Sequence, residues 1–227
     1  MRVMVANRMT TSAQQWTELI SQHNSGTYNN QWMILDLNKF TPGQDLVPGT
    51  MWIAEQFPGV VGTRDVTDTL RYGYYPSYNV PSIRELFVES GYGEAVEKQG
   101  PEMNDYEMCV RAQIFRRDQG TVTDMKSFKH IMQYNDYEKD PVSAGNPLYA
   151  IASRADLNPT EPQCFGALDA KVSSWKDWKN GQTVHAFSGP TPQQPRFGFN
   201  ITRATCGPHA GLQEFIDYDW ETFKPIV

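Results

Sequence analysis

Two apolar runs separated by a Pro- and Gly-rich bend constrain this chain most. They are QWMILDL, from Gln31 to Leu37, and TMWIAEQF, from Thr50, with TPGQDLVPG between them. Apolar, β-branched and aromatic residues bounded by turn residues predict two strands joined by a surface turn, and hence an antiparallel meander. A polar loop, SGTYNN, leads into the first strand. Four consecutive hydrogen-bonding side chains, Tyr28, Asn29, Asn30 and Gln31, are more than a plain turn needs, and they pose the question of what this loop holds.

Helical signals surround the strands. Thr10 to Ser12 offer caps to AQQWTELISQH, where Thr11 and Gln14 have capping-box spacing and Trp16, Leu19 and Ile20 recur at helical period. His23 to Gly26 closes that helix. Ser82 and Glu85 form a second box over the stripe Ile83, Leu86 and Phe87, with Gly91 at the end. Thr121 or Thr123 caps a helix through Asn135, with Val122, Met125, Phe128 and Met132 on one face. Arg2 to Ala6 and Arg111 to Phe115 read as short strands, and KVSSW and TVHAFSGP as two late ones. Residues 140–165 are loop-like, broken by Pro141, Pro147, Pro159 and Pro162. No repeat or linker divides the chain, so the expected architecture is one α+β unit over 1–227.

Composition narrows the function. With 227 residues, 39% hydrophobic and 20% charged, a core is within reach. A net charge of −6 argues against a nucleic-acid backbone as partner. No run approaches the roughly 20 apolar residues of a membrane span. The start, MRVMVANRMTTSAQQW, has no apolar region of signal-peptide length. Asn200-Ile201-Thr202 fits the N-glycosylation triplet. Cys109, Cys164 and Cys206 lack CxxC spacing, so a zinc site is not indicated. Either one disulfide such as Cys164–Cys206 leaves Cys109 over, or all three are reduced. His23, His130, His185 and His209 have no metal-ligand spacing, and no metal or cofactor is expected.

Few residues suggest catalysis unaided. There is no GxSxG elbow, and Ser188 lies three residues from His185, on the opposite face of a strand. RRDQG, Arg116 to Gly120, reads as a turn with local ion pairs. YYPSYNVP is more unusual, because Tyr75 and Val80 each precede a proline and are pushed out of the helical region. Asn79 is then held in a stiff, extended segment. Its amide is either an Asx turn leading to the Ser82 helix or a donor for an oxyanion.

RVMVANR, NSGTYNNQWMILDLNKF, EQFPG, YYPSYNVP, RAQIFRRDQG, MQYNDYEKDP, DLNP and SGPT together, in this order, resemble the phospholipase B-like, or laminin-ancestor, family. The resemblance runs from Arg2 to Pro225. It implies the N-terminal nucleophile (Ntn) hydrolase fold, a four-layer αββα sandwich, in a lysosomal or secreted glycoprotein. It also implies a precursor cut internally to expose a cysteine. The thiol attacks an amide or acyl ester and the α-amine of the same cysteine is the base. The implied substrates are phospholipid acyl chains. Carried over by motif, Asn79 matches an oxyanion-hole asparagine and Arg111 an arginine beside the nucleophile. Asn29, Asn30 and Trp32 are further candidates for shaping the pocket.

The family's cysteine precedes the RVMVANR motif, and none of Cys109, Cys164 and Cys206 has the matching context. The chain is therefore expected to supply the C-terminal portion of an incomplete sandwich, with the upstream part of the same precursor as its partner. On its own it is expected to be inactive and, with a sheet edge uncovered, poorly soluble. The rival reading is a short, non-catalytic form that holds a lipid or sugar through its Tyr, Trp, Asn and Gln side chains.

Overall fold

A computed structural model describes all residues except 168, 192–194, 200–205, 208, 226 and 227. The Asn200 glycosylation triplet lies outside the described residues. Helix and antiparallel sheet are mixed, as expected for α+β, and the chain forms two compact units, Met1–Ala112 and Gln113–Val227.

The first unit is organised by its central strand. Strands β1 (Gln31–Leu35), β2 (Met51–Phe57) and β3 (Val60–Asp65) form the antiparallel meander anticipated from the two apolar runs. Strand β1 stops two residues short of expectation, because Asp36 turns to accept from the Asn38 N–H and starts a short 3-10 turn. Strand β2 buries side chains on both faces. Met51 and Ile53 pack with Val66, Ile83 and Leu86, while Ala54 packs with Ala6, Trp16 and Ile20. Period-2 alternation turns consecutive residues of β2 to opposite sides, so helices are needed on both.

On the Ala54 side lie α1 (Arg2–Met9) and α2 (Ala13–Ser21). Helix α2 is capped by Ser12, which accepts from the Gln15 N–H, while Gln15 Oε1 accepts from Thr11. The cap thus lies one residue beyond the Thr11–Gln14 expectation. Helix α1 corrects the strand expected over Arg2 to Ala6. Val3 and Val5 alternate like strand residues, but the contacts fall at helical spacing. Val3 and Ala6 face the Trp16 core, and Asn7 Oδ1 accepts from Trp16 Nε1 at 2.7 Å. The Arg2 guanidinium donates to the carbonyls of Ile20, Gln22 and His23 and so caps the far end of α2.

On the opposite face, α3 (Thr67–Leu70) and α4 (Arg84–Glu89) cover the sheet. Ile83, Leu86 and Phe87 are buried as expected. Gly62 lets them approach, since a Cβ there would stand 2.8 Å from Ile83 Cδ1 and 2.9 Å from Leu86 Cδ1. The expected capping box at Ser82 does not form; Ser82 bonds to Glu55 instead. Gly91, in the left-handed region at φ 81°, does end the turn and begins α5 (Tyr92–Gln99). The short α6 (Pro101–Asn104) and then α7 (Val110–Asp118) follow.

Helix α7 corrects the strand expected at Arg111 to Phe115. Val110, Ala112 and Ile114 are all buried, an alternation that imitates a strand. A short helix enclosed on more than one side loses the single apolar stripe by which a helix is read.

In the second unit α8 runs from Met125 to Met132 and is capped by Asp124, not by Thr121 or Thr123. Its Ser127 returns a bond to the cap, so an aspartate and a serine form a capping box. The late strand expected at TVHAFSGP is present as β5 (Val184–Ser188), whereas KVSSW gives only the end of β4 (Asp169–Val172), because Ser174 caps α9 (Trp175–Lys179) through a box with Asp177; β6 (Glu221–Phe223) completes the sheet. Cys164 and Cys206 form the disulfide, with Cα atoms 5.5 Å apart, and Cys109 is free and buried.

Between α8 and β4 the backbone is irregular, apart from a short 3-10 turn at Ala155–Leu157, and side chains stitch it together. Arg154 is wholly buried against Asp156 and donates to the carbonyls of Thr191 and Pro195. Asn135 Nδ2 donates to Pro147 O and Ala152 O. Arg117, from the RRDQG run, grips Asp118 and Asp140.

Asp140 also accepts from Tyr134 Oη at 2.7 Å and from the Val142 N–H. Hydrogen bonds from Arg117, then from Tyr134, hold its carboxyl down at about 2 against an ordinary 3.8. A carboxyl depressed by folding stabilises the fold fully above its unfolded value, and that contribution fades as pH falls through the folded value. We expect the difference in melting temperature between wild type and Asp140→Asn to stay constant down to about pH 4 and to close towards about pH 2. Thermal melts across that range measure it. A difference that closes near neutral pH would contradict it.

Candidate functional site

The polar loop ahead of β1 holds mainly itself and the sheet. Asn24 Nδ2 donates to Phe57 O at 2.7 Å, and Gln56 Nε2 donates back to Asn24 Oδ1. Asn29 Nδ2 donates to Gly26 O and Asn30 Nδ2 to Tyr28 O, which fixes the bend. Tyr28 is exposed. Gln31 reaches across the sheet to Glu55, its register partner on β2.

Glu55 is the buried polar centre of this unit, only 2% exposed. Its carboxylate accepts from the Ser82 N–H at 2.7 Å, the Ser82 hydroxyl at 2.7 Å, the Ile83 N–H at 3.0 Å and the Gln31 amide. Four donors replace a counter-cation. Two of them are backbone groups just before α4 that would otherwise be orphaned at a helix start. Glu55 therefore pins the end of the YYPSYNVP loop to the middle of the sheet.

That loop closes one side of a cleft of about 280 Å³ lined by Asn29, Asn30, Glu55, Ser77, Asn79 and Tyr92, with Phe57, Val80 and Pro81 as its apolar part. Asn79 is not extended as the sequence led us to expect. Its φ is 61°, in the left-handed region that asparagine tolerates better than most residues. Val80 precedes a proline and is disfavoured in the helical conformation, and the reversal falls on Asn79.

Arg111, from the first turn of α7, donates through Nη1 to Asn79 Oδ1 at 2.8 Å and through Nη2 to Tyr78 O. Residues 32 apart in the chain are thus joined. A guanidinium only donates, so the amide oxygen must face Arg111 and the Nδ2 donors must face away from it. Burial pushes the Arg111 guanidinium down from its ordinary value, opposed by the neighbouring Cys109. Cys109 is free and buried, and burial pushes its thiol up, against backbone N–H groups and Arg111, which pull it down.

The expected site residues therefore separate. Asn29, Asn30 and Asn79 line one cleft, and Arg111 orients Asn79 from behind. Trp32 is on the other face of the sheet, its ring 5.8 Å from Trp16 and its Nε1 donating to Gln56. Sequence reasoning passed over Glu55 and Tyr92. A lone carboxylate inside the apolar run TMWIAEQF was the available signal for Glu55. His185 is engaged within its own sheet and beside α9, with Nδ1 3.1 Å from Thr222 Oγ1 and Nε2 3.7 Å from Asp177. Among the described residues no group of His, Cys, Asp and Glu is placed to hold a metal ion, and no helix is long and apolar enough to cross a membrane.

Removing the Glu55 carboxylate leaves two backbone N–H groups without partners and takes one acceptor from the Ser82 hydroxyl, which keeps Tyr75. Glu55→Ala is expected to cost about 3 kcal/mol of unfolding free energy, and Glu55→Gln, which keeps one acceptor, less. Urea unfolding of the two variants checks the order.

A family model described as Phospholipase B matches residues 1–223. Phospholipase B-like 1 of Rattus norvegicus is 44% identical over 226 residues, covering 100% of this chain and 41% of that protein. Phospholipase B of Crotalus adamanteus is 43% identical over the same length, with 100% and 40% covered. Phospholipase B-like protein B of Dictyostelium discoideum is 41% identical over 231 residues, again with 100% and 40% covered. The chain spans about 40% of the length of these curated relatives.

Proposed function

Because this chain belongs to the phospholipase B family, we propose that it supplies the oxyanion-binding part of an acyl hydrolase whose nucleophile is carried by sequence outside the chain. In this reading the two units are parts of one Ntn-type domain. The substrate is an acyl ester or amide, with phospholipid acyl chains the class suggested by the relatives' names. A lysosomal or secreted glycoprotein, with Asn200 as a glycan site, completes the proposal.

The observation that carries it is the 2.8 Å bond from Arg111 to Asn79 Oδ1 beside the cleft. An oxyanion needs donors set before charge develops, so that no reorganisation is required during reaction. Arg111 fixes the amide by its oxygen and leaves the nitrogen to donate. Its guanidinium also keeps a positive charge behind the amide, which favours a developing negative charge in front. A cysteine thiolate attacks the carbonyl carbon, and the oxyanion accepts from Asn79 Nδ2. The leaving alcohol or amine takes a proton from the cysteine's α-ammonium, and water then hydrolyses the thioester. Arg111 orients Asn79 through its bonds to Asn79 Oδ1 and Tyr78 O.

The test is Asn79→Ala in the protein produced from its complete gene, assayed by fatty-acid release from phospholipid micelles and from short N-acyl amides. A kcat lower by about 10²–10³-fold on whichever substrate is turned over is expected, as for loss of one oxyanion donor. Wild-type turnover would remove Asn79 from the mechanism.

A further inference from the structure

The left-handed turn at Asn79 is held from outside its own loop. Three carbonyls between Pro76 and Asn79 each accept from a side chain further along the chain. Tyr106 Oη donates to Pro76 O at 2.8 Å, Arg111 donates to Tyr78 O, and Tyr92 Oη donates to Asn79 O at 2.7 Å. Tyr78 itself is buried, its ring 5.5 Å from that of Tyr106. Of these donors only Tyr92 also lines the cleft.

Resting on the reading of Asn79 as the oxyanion donor, we propose that Tyr92 is a positioning residue for it. Arg111 fixes the side-chain amide, but a rotation of the Asn79 backbone would carry that amide with it. The left-handed conformation is disfavoured for any residue with a Cβ, though less for asparagine than for most, and bonds from neighbours hold it here. The Tyr92 hydroxyl supplies that hold at the Asn79 carbonyl, the peptide unit immediately after the amide-bearing Cα. Tyr92 is itself set in place. Its ring stacks on buried Phe87 at 6.0 Å and 28°, and Gly91, at φ 81°, turns the chain so that Tyr92 opens α5 facing the loop. The ring provides the anchor and the hydroxyl the contact, and the two can be separated by removing one oxygen.

Tyr92→Phe keeps the ring on Phe87 and deletes only the bond to Asn79 O. Steady-state kinetics on the product of the complete gene, with kcat normalised to titrated reactive thiol, count only folded and processed enzyme. Tyr92→Phe is expected to lower kcat about tenfold with KM within about twofold of wild type, the loss of one hydrogen bond felt mainly in the transition state. In an Asn79→Ala background it is expected to add nothing, because the group it positions is already gone. A slow Asn79→Ala enzyme beside a wild-type Tyr92→Phe enzyme would overturn the role of Tyr92 and leave that of Asn79 standing. So would a change confined to KM, or a Tyr92→Phe loss that persists undiminished in the Asn79→Ala background. An Asn79→Ala enzyme of wild-type rate would defeat the oxyanion reading first, and this inference with it.

Discussion

A buried carboxylate without a cation governs the first unit. Glu55 sits on the central strand, and each of its bonds ties that strand to something that would otherwise be placed independently. Gln31 brings in the edge strand, and Ser82 and Ile83 bring in the start of α4. A carboxyl group so enclosed is tolerated only when its acceptor sites are met by aligned donors. The need to satisfy Glu55 therefore determines where residues 82 and 83 lie, to within hydrogen-bond tolerance. The stiff loop before them inherits that position. Pro76 and Pro81 restrict Tyr75 and Val80, so little freedom is left between the anchored end and Asn79.

The two loops at the cleft hold two kinds of asparagine that behave differently. Asn29 and Asn30 each use an Nδ2 donor on a carbonyl of their own bend, three and two residues away. They stabilise the turn and also face the cleft. Asn79 is held by its oxygen, through a residue 32 positions on, and by its carbonyl, through Tyr92. An amide fixed by its acceptor side is prepared to donate; one that donates to its own turn has already used part of that capacity. This difference, rather than the density of polar residues, separates the candidate catalytic amide from the structural ones.

Much of the framework was legible where one face of an element is apolar and the other is not. The β1–β2 pair, α2 with Trp16 and Ile20, the Ile83–Leu86–Phe87 stripe and the late strand β5 follow from period and punctuation alone. Helices α1 and α7 did not, for opposite reasons. Helix α1 is short, and its Val3 and Val5 alternate, while its helical character rests on tertiary contacts of Arg2, Ala6 and Asn7. Helix α7 is enclosed, so Val110, Ala112 and Ile114 all point to protein. Nor does spacing join Asn79 to Arg111 or Tyr92; the family motif supplied the first pair, and only the folded chain supplied the second.

The sheet that carries this arrangement explains why the site can tolerate strain at Asn79. Strand β2 is packed on both faces, and Gly62 lets the Ile83 and Leu86 side chains settle against β3 with no Cβ between them. A rigid layer under the loop means that relaxation of one φ angle cannot be shared among neighbours. It would have to break the bond to Tyr92, the bond to Arg111, or the links from residues 82 and 83 to Glu55. Each is worth on the order of 1 kcal/mol or more, so together they exceed the cost of one left-handed residue. The conformation of Asn79 is thus a consequence of bonds made by Tyr92, Arg111 and Glu55 rather than by its own loop.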